Sequence, residues 1–256
     1  MAAKRYRVLG TVGHGPGGTV WRARDELLGR DVAVRRLPPS CPFDPAHSDR
    51  ARAKVIRDAR GAIRVRHPHA LVVHDVFEHD GTPYVVTEFL AARTLADLLG
   101  REGTLPAERV AALGAQLASA VAAAHAVGVL HRGIGPERVL VTEAGTAKID
   151  GFGLGSGTAS AAADVFSLGE TLYRALEGRP PGSAVPPRTS GPVLDVVQAL
   201  LRPEPAARPT MAEAARLFAA TATSGRETRG RTRILAAATV LAVALGTAVT
   251  RRRRPR

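Results

Sequence analysis

The hydrophobic pattern changes period part-way along the chain, and that change limits what it can fold into. Residues 6–37 alternate apolar and polar around a glycine cluster, the pattern of short antiparallel strands joined by tight turns. LVVHDVFEHDGTPYVVTEF (71–89) reads as two further strands around a turn at Asp80–Pro83. Between these runs, four prolines in PPSCPFDPAHSD (38–49) predict a loop, and Val55, Ile56, Ala59, Ala62 and Ile63 recur at helical spacing over 50–65. From residue 93 to about 220 the 3.6-residue period dominates, in TLADLLGREG and then in AERVAALGAQLASAVAAAHAVG. Five strands with one helix, followed by a mostly helical half, predict an α+β chain of two lobes, 6–90 and 91–220.

At 256 residues and 45% hydrophobic, the chain can bury one sizeable core or two lobes that share a cleft. The single Cys41 cannot form an intramolecular disulfide, which suits a reducing compartment. No apolar run follows the basic residues of MAAKRYRVLG, so a signal peptide is not expected and the lobes are expected in the cytoplasm. The net charge of +13 first suggests a nucleic-acid partner, but its distribution argues otherwise. Residues 226–256 hold nine Arg against Glu227, which is +8 of the +13 and leaves +5 for everything else. Without an aromatic platform or recognition motif, no nucleic-acid partner is expected.

A polar basic linker (221–233) precedes ILAAATVLAVALGTAVT (234–250), which carries no charge and is bracketed by Arg; an Arg-rich tail follows (251–256). At about 1.5 Å per residue the apolar run spans about 25 Å, near the ~30 Å of a hydrocarbon core, with flanking Arg able to snorkel. It predicts a single transmembrane helix, with a last buried helix of the domain as the alternative. The Arg counts on the two sides nearly balance, so the positive-inside rule does not choose an orientation. Moving a six-residue tail across is easier than exporting folded lobes, so the lobes are expected inside.

Several short motifs follow one another in order. GHGPGGTV (13–20) fits G-x-G-x-x-G-x-V with Gly13, Gly15 and Gly18, residues that let a backbone approach phosphates and donate N–H groups to them. VAVR (32–35) follows at the spacing of V-A-I-K, with Arg35 in place of the lysine, and RDAR (57–60) puts Asp58 on the predicted helix. Thr87-Glu88-Phe89-Leu90 joins the halves. HRGIGPERVL (131–140) and KIDGFGLG (148–155) keep the frame of H-R-D-L-x-x-x-N and D-F-G, and DVFSLGETLYRALEGRPP (164–181) and LLRPEPAARPT (200–210) complete the series. Taken one at a time, the glycine run reads equally as a hairpin turn, and Arg35 and Asp58 as solvated surface charges.

Together, residues 6–220 resemble the bacterial eukaryotic-like serine/threonine protein kinases, in particular membrane-anchored actinobacterial ones. The resemblance implies a two-lobed fold with a small antiparallel β lobe, one helix and a larger helical lobe. It implies a nucleotide cleft formed by Gly13, Gly15, Gly18, Val20, Ala33, Arg35, Glu88, Leu90 and Leu140. It also implies an ion pair from Arg35 to Asp58, and Asp164 as the buried anchor of the 131–138 loop.

The chemistry of the family is missing from the same frame. Gly133 stands at the catalytic aspartate, Gly135 at the lysine that contacts the transferred phosphate, Arg138 at the metal-binding asparagine and Gly151 at the metal-binding aspartate. Only LGSGTASAAA separates Gly153 from Asp164, so the A-P-E motif and its substrate platform are absent; Arg208 loses its usual glutamate and Arg132 the loop it would meet. Phosphoryl transfer depends almost wholly on positioning and charge neutralisation. A positioned base contributes ~10²- to 10⁴-fold, so these losses predict no useful rate. No catalytic residue is therefore expected, and glycine and arginine are expected to fill the cleft where acidic groups would gather cations.

Asp150 is the one candidate for a metal, by a backbone slip at Gly151, while Glu137 reads as a solvated charge at a helix end. Arg138 is positioned to project into the vacated metal site and, with Arg35, to neutralise nucleotide phosphates. ATP without Mg²⁺ is thus the candidate ligand. The expected role is a membrane-tethered pseudokinase that scaffolds or regulates signalling proteins, among them active kinases or readers of phosphothreonine on a linker bearing Thr221, Thr223, Ser224, Thr228 and Thr232. The alternatives are a divergent active kinase working through Asp150, and a nucleotide sensor.

Overall fold

A computed structural model describes residues 5–15, 18–37, 45–155, 158–182 and 184–221. The apolar segment 234–250, the tail 251–256, linker residues 222–233 and Cys41 lie outside them. No helix among the described residues is long and apolar enough to cross a membrane.

The first lobe is a five-stranded antiparallel sheet of β1 (Tyr6–Gly15), β2 (Gly18–Asp25), β3 (Arg30–Arg36), β4 (Val73–His79) and β5 (Thr82–Glu88), in the order β1-β2-β3-β5-β4. Side chains alternate across a strand. In β3, Val32 and Val34 therefore enter a small core with Tyr6, Ala23 and Val86, while Ala33 and Arg35 face the second lobe. Helix α1 (Pro45–Ala62) begins five residues before the start read from its apolar spacing, inside the stretch assigned to a loop. Proline at the first helical position lacks only an N–H that would have no intrahelical partner, so Pro45 opens the helix.

The second lobe is built on α3 (Ala107–Ala126), whose Val110, Leu113, Leu117 and Val121 are fully buried. Around it lie α2 (Leu95–Glu102), α4 (Ala161–Glu177), α5 (Pro192–Leu200) and α6 (211–221). Thr221, read as linker, is helical and the last described residue, and its hydroxyl donates to the Phe218 carbonyl at 2.8 Å. Three short strands were not visible in the helical pattern: β6 (Arg93–Thr94), β7 (Val139–Val141) and β8 (Ala147–Ile149), in the order β6-β7-β8. They hold 131–138 and 150–155 under the first sheet. A parallel bridge from Ala70 to Ile149 ties the segment before β4 to the same sheet.

Candidate functional site

A cavity of about 530 Å³ opens between the lobes, within the range of ligand pockets. Its roof is Gly13, Gly18, Val20 and Ala33, its back Thr87 to Leu90, and its floor Leu140. Arg35, Glu137, Arg138 and Asp150 line its inner end. Of the residues expected at a nucleotide cleft, all but Gly15 line this space. Gly15 pairs with Gly18 across the β1–β2 turn. Gly18 has φ +97°, and a Cβ there would lie 2.7 Å from the Arg36 carbonyl oxygen, so this turn requires glycine.

The 131–132 backbone hangs on one buried carboxylate. Asp164, 1% exposed in the first turn of α4, accepts from the His131 and Arg132 N–H groups and from His125 Nε2–H, each at 2.8 Å. Burial acts to raise its pKa, but the hydrogen bonds from His125, His131 and Arg132 outweigh it and hold the carboxyl below its ordinary value. The anchoring role read from sequence is what the geometry displays; His125, a lone histidine on a helix, gave no sign of its part in it. His131 is buried, donates from Nε2–H to the Asp150 carbonyl at 2.9 Å and meets the Phe152 ring edge-on. Burial pushes its imidazole down to about 4, so it is neutral at pH 7.

The expected Arg35–Asp58 pair does not form. Arg35 instead grips Asp150 through both terminal nitrogens, at 2.6 and 3.2 Å. Asp58 pairs with Lys54 one turn earlier (2.7 Å) and with Arg132 across the lobes (2.8 Å). A side chain one methylene shorter than glutamate is met by nearer cations, and Arg35 finds its carboxylate in Asp150 instead. Burial acts to raise the Asp58 pKa, yet the bonds from Lys54 and Arg132 leave it lowered. Arg132, expected without a partner, thus fastens α1 to the second lobe. A third link, which sequence reasoning missed, joins Lys148 Nζ to Glu88 Oε1 at 2.7 Å, and the same Glu88 oxygen accepts from the Val72 N–H. Arg208 also has partners: it donates to the carbonyls of Ala162, Arg202 and Pro203, and its guanidinium lies over the Phe166 ring.

Two of the glycines that mark lost chemistry are covered by a neighbouring side chain. Arg138, on the 3₁₀ turn Pro136–Arg138, lies along Gly151, its Nη1 2.9 Å from where a Cβ at 151 would sit. Gly151 has φ +92°, so the substitutions at 138 and 151 fit each other: the glycine leaves the room that the guanidinium takes. Burial and then the Arg35 charge both lower the Arg138 pKa. The Glu137 carboxylate, exposed as expected, folds over Gly135, with Oε2 2.7 Å from the place of a Cβ there. At Gly133 a Cβ would meet only Gly155 Cα at 3.7 Å, and no acidic side chain among the described residues comes within 4 Å of that point.

Glycine and arginine do not fill the cleft alone. Asp150 and Glu137 both line its inner end, which corrects the expectation that no acidic group would enter, although Arg35 engages both Asp150 oxygens and Glu137 folds over Gly135. A Mg²⁺ ion does not fit this end of the cleft. Mg²⁺ in such a site takes one or two free carboxylates plus phosphates, whereas here a guanidinium lies where the family's metal-binding side chain would project and Arg35 holds both oxygens of Asp150.

The sequence model for the protein kinase domain matches residues 6–161, more than half of the chain. The chain belongs to the protein kinase family. Its kinase domain is similar to the serine/threonine-protein kinase PknE of Mycobacterium tuberculosis, 32% identical over 203 residues, covering 69% of this chain and 35% of that protein. It is similar to PknA of the same species, 32% identical over 209 residues (69% and 48%), and to PrkC of Bacillus subtilis, 29% identical over 204 residues (69% and 31%). These relatives place it with the bacterial eukaryotic-like serine/threonine kinases, and the chain spans about a third to a half of their length. Among solved structures, Rad53 1–466 in complex with AMP-PNP shares the fold, with a TM-score of 0.69 at 23% identity over 83% of this chain and 64% of that one.

Proposed function

We propose that this kinase domain is a catalytically inactive, membrane-tethered pseudokinase: a kinase-shaped scaffold or regulator that binds nucleotide without Mg²⁺ and transfers no phosphate. The observation that carries this reading is the seat of Arg138 against Gly151, which puts a fixed cation where the reaction needs a carboxylate and its metal. Gly133, which can neither accept a proton nor orient a nucleophile, supports it. The apolar run 234–250 is the proposed tether, with the lobes on the cytoplasmic side, and the partners are signalling proteins, among them active kinases or phosphothreonine readers. Phosphate transfer to itself and to a generic basic protein, with Mg²⁺ or Mn²⁺, is expected to be nil; turnover abolished by Arg35→Ala overturns the reading. Truncation after residue 233 is expected to move the protein from the membrane to the soluble fraction.

One observation favours a second reading, a divergent active kinase. The Asp150 carboxylate is in the cleft beside Arg35, and phosphates drawing Arg35 away would free it. On that reading the full chain turns over ATP and Asp150→Asn stops it, whereas a pseudokinase has no turnover for Asp150→Asn to remove.

A further inference from the structure

The inner end of the cleft sets two guanidiniums side by side with N–H groups to spare. Arg35 is only 8% exposed; Asp150 takes two of its nitrogens, and its buried Nε has no hydrogen-bond partner. Arg138 lies half-buried beside it and forms no side-chain hydrogen bond or ion pair with any described residue. Of the remaining carboxylates of the cleft, only Glu137 acts on Arg138, through its charge and without a hydrogen bond. Glu88 is engaged by Lys148 and the Val72 N–H, Asp97 caps α2 at Thr94, and Glu137 lies over Gly135. Two guanidiniums whose N–H groups are only partly taken up, at the end of an apolar slot of Val20, Ala33 and Leu140, suit an anion attached to a flat apolar group.

From this we infer that the cleft selects metal-free nucleoside di- and triphosphates and that Mg²⁺ antagonises their binding. The inference rests on the nucleotide-binding part of the proposed function and gives that binding a sign. In an ordinary kinase cleft the metal bridges phosphate and carboxylate, so it adds affinity. Here a chelated Mg²⁺ brings two positive charges toward Arg138 and Arg35 and takes the same phosphate oxygens that these guanidiniums would grip. Like charges a few ångströms apart in a partly buried site repel strongly. Arg138 acts as a tethered counter-ion, and the free nucleotide, with its full negative charge, is the better ligand.

The test is calorimetric titration of the 256-residue chain in detergent with ADP and with ATP, in EDTA and in excess MgCl₂ at matched ionic strength, with adenosine as the uncharged control. Affinity for ADP and ATP is expected to be at least about tenfold tighter in EDTA than in Mg²⁺, and adenosine is expected to respond to neither. Arg138→Asn, checked for its folded helix signal, is expected to bring the EDTA-to-Mg²⁺ ratio to about one or below it, while Arg138→Lys keeps the preference for free nucleotide. Equal or tighter binding in Mg²⁺ by the unaltered chain overturns the inference and leaves nucleotide binding standing. Absence of binding in both conditions overturns nucleotide binding itself.

Discussion

Replacing Asp164 with alanine tests whether one buried carboxylate holds the 131–138 loop. The substitution removes three acceptor contacts of 2.8 Å from a site that is 1% exposed, leaving the His131 and Arg132 N–H groups without partners. Each orphaned buried donor costs about 1–3 kcal/mol. Arg132 has φ +67°, a conformation that costs a non-glycine residue about 1–2 kcal/mol; release of the loop recovers part of that. The net loss is then about 3–5 kcal/mol, in line with removal of one partner from a buried charged network, against a total stability of ~5–15 kcal/mol. Urea unfolding of the full chain, followed by circular dichroism, is expected to lose about 2 M from its midpoint with little change in slope. Asp164→Asn is expected to fall between, since the amide keeps one acceptor and turns its NH₂ toward a donor. A loss under about 1 kcal/mol for the alanine variant, with helix content intact, would refute the reasoning: the loop would then be held by something else.

Three further outcomes are expected. In a double-mutant cycle of Arg35→Met with Asp150→Asn, the pair is expected to couple by about 1–3 kcal/mol in urea unfolding, whereas Arg35→Met with Asp58→Asn should be additive; coupling to Asp58 instead would contradict the observed pairing. A Cβ at Gly114 would lie 2.8 Å from the Phe218 ring, which is fully buried. Gly114→Ala is therefore expected to destabilise by about 0.5–2 kcal/mol, the overpacking exceeding the gain in helix propensity, and to be rescued by Phe218→Leu; a stabilised single variant would show that the α3–α6 contact is slack. His131 has its pKa lowered from 6.5 to about 4, so below pH 6.5 the unfolded chain takes up a proton that the native chain refuses. Stability should fall as pH drops from about 6.5 to about 4, and His131→Leu should flatten that slope; an unchanged slope would mean that another group sets it.

Much of this protein is legible in patterns that span about ten residues or fewer. Alternation in 6–37 and 71–89 produced β1 to β5, and the helical period produced α2 and α3, because backbone geometry repeats over those distances. The glycine-rich turn and the 131–140 and 148–155 segments kept their motif spacing, so the cleft-lining residues could be named from the chain alone. The strands β6, β7 and β8 could not, since two or three residues carry no period and their pairing joins Arg93 to Val141. Partner choice was equally hidden. With 36 Lys and Arg and 23 Asp and Glu, every charge has many candidate mates. Arg35 meets Asp150 rather than Asp58 because the packing of two lobes, not proximity along the chain, brings those groups within 2.6 Å. The same packing fits Arg138 against Gly151 and joins two losses that look independent in the sequence. Short-range periodicity set the elements, and the resemblance to the kinase motifs marked the missing carboxylates; long-range packing set which cations meet which anions, because Coulomb attraction depends on separations that exist only after the lobes close.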